Sequence, residues 1–535
     1  MSSAETPTER APVGVIDIGS NEMRIEIAQV SPDGETEILE RARRGVRLGQ
    51  DTFVDGRLSQ QTMNAAISVL RDYRRMLDTY EVEAIRAVAT SAVREASNMD
   101  TFLDRIARTV DLDVEVIQTT EQVRLIVLAV LEDIGGALDL GGISLISEVG
   151  GGSTLLAILR GGEIGASQSY NIGSIRMQET LSTSREPPSR AAHLLRQHAR
   201  RAVDLAKRTL GLEEAGTFLA IGGDARFAAE QIGEPCGEGA LQRVAQDRLQ
   251  ELVEECSSRP PEDLAQFYGL PYAVAETLVP ALIVYLELLE AVKADSMVVS
   301  RVSMRDGLVL DLPRYLTGKE DPQIAAGTLR SARSIGLKFD YDEAHAEHVS
   351  KLAVRLFDEL SDEHSLQPRH RLLLRVAGIL HDIGTFVNSS AHHKHSLYLI
   401  SHSEIFGLNR DEMNIVAQTA RYHRRSMPKS SHIEYTALSR PQRMIVNKLA
   451  AMLRVADALD RGHWQQVDDF QIERRQHDLV IYVRGAADLT LERRAIAKKS
   501  DLFEDVFGMH VRLEHENGAA GMAGDTRQPL SRPQS

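Results

Sequence analysis

Two short segments constrain this chain more than any other feature: Asp17-Ile-Gly-Ser-Asn21 and Glu148-Val-Gly-Gly-Gly-Ser-Thr154. Each follows an apolar stretch with strand-like alternation, opens on an acid, and passes through glycine to hydroxyl or amide side chains before a second strand. Successive glycines let the main chain adopt positive φ and bring several N–H donors around one anion. A lone hairpin of this kind is an ordinary turn, but a pair suggests a duplicated unit holding phosphate.

The flanking patterns support duplication. Val13 to Val30 reads as a hairpin, followed by a strand near Arg41 to Gly49, a helix from Leu58 to Tyr80, and a buried strand running out to Ser91 and Arg94. A helix from Asp100 to Thr109, a short strand and a helix from Glu121 to Glu132, capped by Thr120, complete the string. It then restarts: a hairpin from Ile143 to Ile164, a strand near Tyr170, a helix from Arg190 to Leu210, and strand, Gly222-Gly223, helix. A helix from Tyr272 to Ala294 and a strand leading into a helix near Met304 follow. Such alternation predicts α/β layers with a ligand at the strand ends between the halves.

Beyond Pro313 the pattern turns helical, and 13 of the 17 histidines fall between His345 and His477. His345 shares a helical stripe with Val349, Leu352, Leu356 and Leu360; His381 and Asp382 end an apolar helix closed by Gly384; Asp457 lies four residues after Leu453. Imidazoles and carboxylates aimed into an apolar core need a partner, and a shared divalent metal is the simplest. Strands from Phe470 to His515 surround a helix from Glu492 to Val506. The expected domains are a disordered 1–12, lobes at 13–134 and 135–313, a helical domain at 320–466, an α+β unit at 467–515 and a disordered tail at 516–535.

Charge and cysteine content narrow the function classes. With 62 basic and 77 acidic residues the net charge is −15, which argues against a general nucleic-acid binder. Only Cys236 and Cys256 occur, so a disulfide framework is not expected. No apolar run is read as approaching a membrane span, and Met1 to Pro12 lacks a signal-peptide core. A cytoplasmic protein without membrane or nucleic-acid partners is expected.

"VIDIGSN", "VRLGQ", "ATSAVREASN", "RLI", "GGGST", "IGSIR" and "MRDGL", in that order between Val13 and Leu312, together resemble the exopolyphosphatase and guanosine pentaphosphate phosphohydrolase family of the actin-like ATPase superfamily. The resemblance implies a duplicated, two-lobed actin-like α/β core and removal of terminal phosphate from inorganic polyphosphate or pppGpp with Mg2+. It also suggests a homodimer. Carried over, Asp17, Ser20 and Asn21 form the first phosphate loop, Gly150, Gly151, Gly152, Ser153 and Thr154 the second, and Arg94 a substrate clamp. Asp17 and Glu148 become the Mg2+ ligands.

The order His345, His381-Asp382, Asp457 resembles the HD phosphohydrolase domain, in which those four residues bind metal. His395 and His423 are candidates to extend the site to a second divalent ion. This makes the third domain all-α and HD-like.

Several departures touch the chemistry. The family's Ser-Gly-x-Glu-Glu-Ala-Arg is here Gln118-Thr-Thr-Glu-Gln-Val-Arg124, so its catalytic glutamate is Gln122, and an amide cannot accept a proton at neutral pH. Glu121 is adjacent, but neighbouring helical residues point about 100° apart. The family's Asp before the second glycine turn is Glu148, its Glu after Ser-Thr is Leu155, and a threonine after the later paired glycines is Asp224. Two alternatives to a hydrolase therefore stand: a catalytically impaired binder of polyphosphate or a guanosine alarmone, and an HD-site phosphohydrolase with the actin-like lobes as sensor.

Overall fold

β1 (Ala11–Ile18), β2 (Glu22–Val30), β3 (Thr36–Gly45), β4 (Ala84–Ala89) and β5 (Val114–Val116) form a sheet in the order β3-β2-β1-β4-β5. β6 (Ile143–Val149), β7 (Thr154–Arg160), β8 (Glu163–Tyr170), β9 (Thr217–Ile221), β10 (Glu234–Pro235), β11 (Gln242–Ala245) and β12 (Ser296–Val299) form a second, ordered β10-β11-β12-β9-β6-β7-β8. The run β8-β7-β6-β9-β12 repeats the order of the first sheet, with an antiparallel hairpin side and parallel neighbours beyond it. The duplication expected from the paired glycine turns is present, and β10 and β11 are additions to the second copy. This computed structural model describes residues 11–515 except 31–35, 83, 136–137, 139, 237–239, 318–321, 425 and 485–487. The expected disordered tail, and all but two residues of the expected N-terminal segment, lie outside the described residues.

Parallel strands buried on both faces read as near-continuous apolar runs, and β1 and β9 do, while β6 interrupts its apolar residues with Ser144, Ser147 and Glu148. The helix Tyr272–Ala291 explains itself the same way. It is long and apolar enough by length and composition to cross a membrane, so the expectation that no such run exists was too strict. Most of it is buried inside the second lobe. Pro280 sits within it.

Other boundaries also shift. Ser91–Arg94 is a single helical turn rather than the end of a strand. The helix starting near Glu121 runs Thr119–Ile134 with Gln118 at its N-cap, and the Thr120 hydroxyl, instead of capping, donates to Leu408 O at 2.8 Å. Compact units divide the chain as Met1–Ser334 with Glu404–Arg410, and Ile335–Ser403 with Asp411–Ser535. The first unit thus reaches past the expected start at residue 320 and includes a short later segment. In the second unit, β13 (Phe470–Arg475), β14 (Asp478–Val483) and β15 (His510–His515) form a three-stranded sheet, with Thr490–Lys499 and Asp501–Phe507 between them. The expected single helix is broken at Ser500, where the chain caps one helix and starts the next.

Candidate functional site

The two glycine turns join β1 to β2 and β6 to β7, and both line one cavity of about 420 Å³. The first turn is fixed from behind. Gly49 N–H donates to Ser20 O at 2.8 Å, Ser20 Oγ and Ser91 Oγ share a 3.1 Å hydrogen bond, and Asn21 Nδ2 donates to Ala273 O at 3.2 Å. In the second, Gly150 N–H donates to Ser153 O and Ser174 N–H to Gly150 O, both at 2.9 Å. A Cβ on Gly152 would stand 2.4 Å from Ser91 Oγ and 2.5 Å from Phe53 Cζ. The bare backbone there admits the elements that support the first turn, so close packing of the two lobes requires this glycine. The amides of Ser20, Asn21, Gly151, Gly152 and Ser153 have no acceptor among the described residues. Unpaired main-chain N–H groups clustered on concave turns are an anion cradle.

The far wall comes from the second lobe. Tyr285 on the apolar helix accepts from Val149 N–H at 3.0 Å and donates to Ile221 O, tying the end of β6 to that of β9. After Ile221 the chain turns at Gly222 with φ of 109°, a conformation that favours glycine, and enters Gly223–Ile232 carrying Asp224 and Arg226 into the cavity wall. Arg24, Arg305 and the exposed Arg43 also line it, four arginines in all. Arg24 pairs with Glu22 at 3.0 Å and lies 3.9 Å from Asp17. Neither Arg226 nor Arg305 has a carboxylate within 4.0 Å among the described residues, and Arg305 Nε is buried without a partner. Burial, and then the Arg24 charge, push both guanidiniums below their usual range. Uncompensated cations beside unpaired amides define a site for a polyanion.

The cavity wall also carries acids, among them the buried Asp17 and the half-buried Glu148. Burial lifts the Asp17 carboxyl above its ordinary value against the pull of Arg24 and Arg305, and lifts Glu148 similarly, with Asp17 adding repulsion. Asp17 Oδ1 has no hydrogen-bond partner among the described residues.

The sequence-predicted residues divide clearly. Asp17, Ser20, Asn21, Gln122, Glu148, Gly150, Gly151, Gly152 and Ser153 line the cavity; Thr154 does not, because its buried hydroxyl donates to Ile172 O at 2.9 Å. Arg94 is absent from the lining too. Its guanidinium donates to Ile117 O at 2.7 Å and Gln122 Oε1 at 3.3 Å, so it steadies the start of the helix carrying Gln122. Glu121 is committed elsewhere: Arg124 donates to both its oxygens at 2.7 Å, and Arg86 at 3.0 Å. Burial would raise that carboxyl, but Arg124 and Arg86 outweigh it and hold the group below its usual range. A carboxylate so held is a poor proton acceptor, so Glu121 does not replace the missing base. Sequence reasoning missed Arg24, Arg226 and Arg305.

Asp224 gives a pH signature. Burial raises its carboxyl to about 7, opposed by Arg226 and Arg24. Between the ordinary carboxylate range near ~4 and that value, the folded chain keeps a proton that the unfolded chain has lost. Stability conferred by this group is therefore present at low pH and falls as pH rises toward 7. We expect Asp224→Asn to remove that fall and leave the protein about 1–3 kcal/mol more stable at pH 8, with little difference at pH 4, in urea titrations at the two pH values.

In the second unit, His345, His381 and Asp457 come together, and Asp382 joins His392 and His423. The metal-ligand residues expected from sequence therefore converge on one region, but His392 takes the place expected of His395. A Cβ on Gly384 would lie 2.1 Å from His392 O, so this glycine admits the start of helix His392–Ser401. Lys499 Nζ bonds Asp457 Oδ2.

Comparison with known proteins fits this architecture. Models of the Ppx/GppA phosphatase family and of Ppx/GppA phosphatase domain III match residues 27–315 and 329–498. A guanosine-5'-triphosphate,3'-diphosphate pyrophosphatase of Vibrio campbellii is 25% identical over 412 residues, 76% of this chain and 79% of the relative. One from Photobacterium profundum is 24% identical over 422 residues, covering 77% and 81%. An exopolyphosphatase-like protein of known structure has a TM-score of 0.52 at 25% identity, over 58% of this chain and 99% of that one. An exopolyphosphatase from Cytophaga hutchinsonii, with a TM-score of 0.51 at 23% identity over 58% and 99%, shares the fold. With its duplicated lobes, glycine-turn cleft and helical third domain, the chain belongs to the Ppx/GppA phosphatase family.

Proposed function

We propose that the protein is a phosphoanhydride hydrolase that removes terminal phosphate from inorganic polyphosphate, pppGpp or both. The carrying observation is the set of five unpaired amides on two turns that share one cavity with Arg24, Arg226 and Arg305. The amides fix the terminal phosphate, and the arginines neutralise the rest of the anion. Asp17 and Glu148 fit a hard divalent cation, since both are oxygen donors on the cavity wall, the buried Asp17 Oδ1 has no hydrogen-bond partner among the described residues, and desolvation outweighs the nearby arginines at both carboxyls. Mg2+ held there would supply charge neutralisation on the phosphate oxygens. Gln122 faces the cavity and orients water by hydrogen bonding, without taking its proton. The expected homodimer and cytoplasmic location belong to the same proposal.

With purified full-length protein and Mg2+, inorganic phosphate should appear from polyphosphate or pppGpp and stop on chelation. Release from neither substrate would sink this reading.

A second reading, a catalytically impaired polyphosphate or (p)ppGpp binder, draws support from Gln122 and Leu155 both lining the cavity while Glu121 is locked away. Tight polyphosphate binding in calorimetry without phosphate release would favour it.

A further inference from the structure

The histidine cluster of the second unit carries its own chemistry, independent of the phosphate cleft. His381 Nδ1 lies 2.7 Å from Gly378 O, His423 Nδ1 2.6 Å from Ala420 O, and His392 Nδ1 3.1 Å from Ser389 O. A carbonyl only accepts, so each Nδ1 is the protonated nitrogen and, in the neutral ring, each Nε2 presents a lone pair. Backbone carbonyls on the outer nitrogen are the usual device that orients metal-binding imidazoles.

Those lone pairs converge. His392 Nε2 and His423 Nε2 are 3.2 Å apart and lie 3.1 and 3.2 Å from Asp382 Oδ1. Three donors each about 2.0–2.1 Å from one tetrahedral ion would be separated by about 3.3 Å, close to this triangle. Two facing lone pairs and a carboxylate oxygen repel unless a positive charge, an added proton or a metal ion, lies among them, and the spacing matches the metal's ligand triangle. The mixed imidazole and carboxylate set suits a borderline transition metal such as Zn2+, Mn2+ or Co2+ rather than Ca2+. Asp382 and His392 are 22% and 13% exposed, leaving an approach for a fourth ligand.

The neighbouring position differs. His345 Nε2 stands 3.7 Å from Asp457 Oδ1, and its Nδ1 is 2.8 Å from Asp460 Oδ2. Asp457 Oδ2, however, is taken by the buried ammonium of Lys499, the last residue of helix Thr490–Lys499, whose carbonyl accepts from Arg454 Nε at 2.7 Å. A fixed ammonium beside a divalent ion is unfavourable. One ammonium and one divalent ion would together balance the carboxylates of Asp382, Asp457 and Asp460.

We propose that this unit binds one transition-metal ion on Asp382, His392 and His423, and that Lys499 fills the adjacent His345–His381–Asp457 position in place of a second ion. The test is metal stoichiometry. Full-length protein, stripped with chelator, incubated with Co2+ or Zn2+ and desalted, is assayed by elemental analysis, with the cobalt ligand-field spectrum as a second readout. About one equivalent per chain is expected in wild type. His392→Gln and His423→Gln should lose it, His345→Gln should keep it, and Lys499→Met should retain about two. Wild type without metal, or an ion that survives both His392→Gln and His423→Gln but not His345→Gln, overturns the assignment of the site. A Lys499→Met protein that melts like wild type yet gains no second equivalent overturns the role of the lysine. The wild-type spectrum decides the first point even if a variant folds poorly.

Discussion

Gln122→Glu should raise kcat for phosphate release by on the order of a hundredfold, with KM changed little. A positioned general base typically contributes ~10² to 10⁴ in rate, and a hundredfold gain corresponds to about 3 kcal/mol of barrier. Gln122 lines the cavity, so the new carboxylate would stand where the amide now faces substrate. Arg94, which donates to Gln122 Oε1 at 3.3 Å, would favour the ionised form. Selectivity for kcat matters, because a base acts on the attacking water and not on ground-state binding. Steady-state kinetics on polyphosphate and pppGpp measure it. A variant no faster than wild type would mean that another group on the wall takes the proton, and the acids there are Asp17, Glu22, Glu148, Asp224 and Glu230.

Local rules made the duplication legible. Strand alternation, glycine turns and acids at strand ends are periodic and short in range, so the paired hairpins and their order could be read directly. The cation wall could not. Arg24 lies on β2, Arg226 on the helix after Gly222 and Arg305 on the helix after β12, and only the parallel neighbours β6, β9 and β12 bring the last two together. Thr154 was misplaced because the residue that leaves a turn for a strand points to one face or the other according to register. His392 and His395 are three apart on one helix and nearly share a face, so periodicity alone does not choose between them. Lys499 is hardest of all to foresee. A C-terminal lysine on a charged helix reads as solvated, and only the packing of Thr490–Lys499 on Arg440–Leu459 buries it against Asp457.

Arg124→Leu should destabilise the first unit by about 3–5 kcal/mol, because it removes one cation from a buried ion network and leaves its carboxylates with less compensating charge. Arg124 is 1% exposed and donates to Asp311 Oδ1 at 2.8 Å as well as to both oxygens of Glu121. Asp311 is itself 2% exposed. Arg86 would remain with Asp311 at 2.8 Å and Glu121 at 3.0 Å while also holding Glu115 at 3.2 Å, so it takes on alone the bonds that Arg124 now shares with it. The network links the helix that presents Gln122 to the helix Met304–Thr317, whose first turn presents Arg305, so activity should fall with stability. Urea denaturation followed by circular dichroism measures the first effect, and phosphate release at a temperature well below the variant's Tm measures the second. Arg124→Lys should recover only part of the loss, since an ammonium does not reproduce the guanidinium's paired bonds to both acids. A Leu variant as stable as wild type would show that the two carboxylates can share Arg86 or take up a proton at little cost.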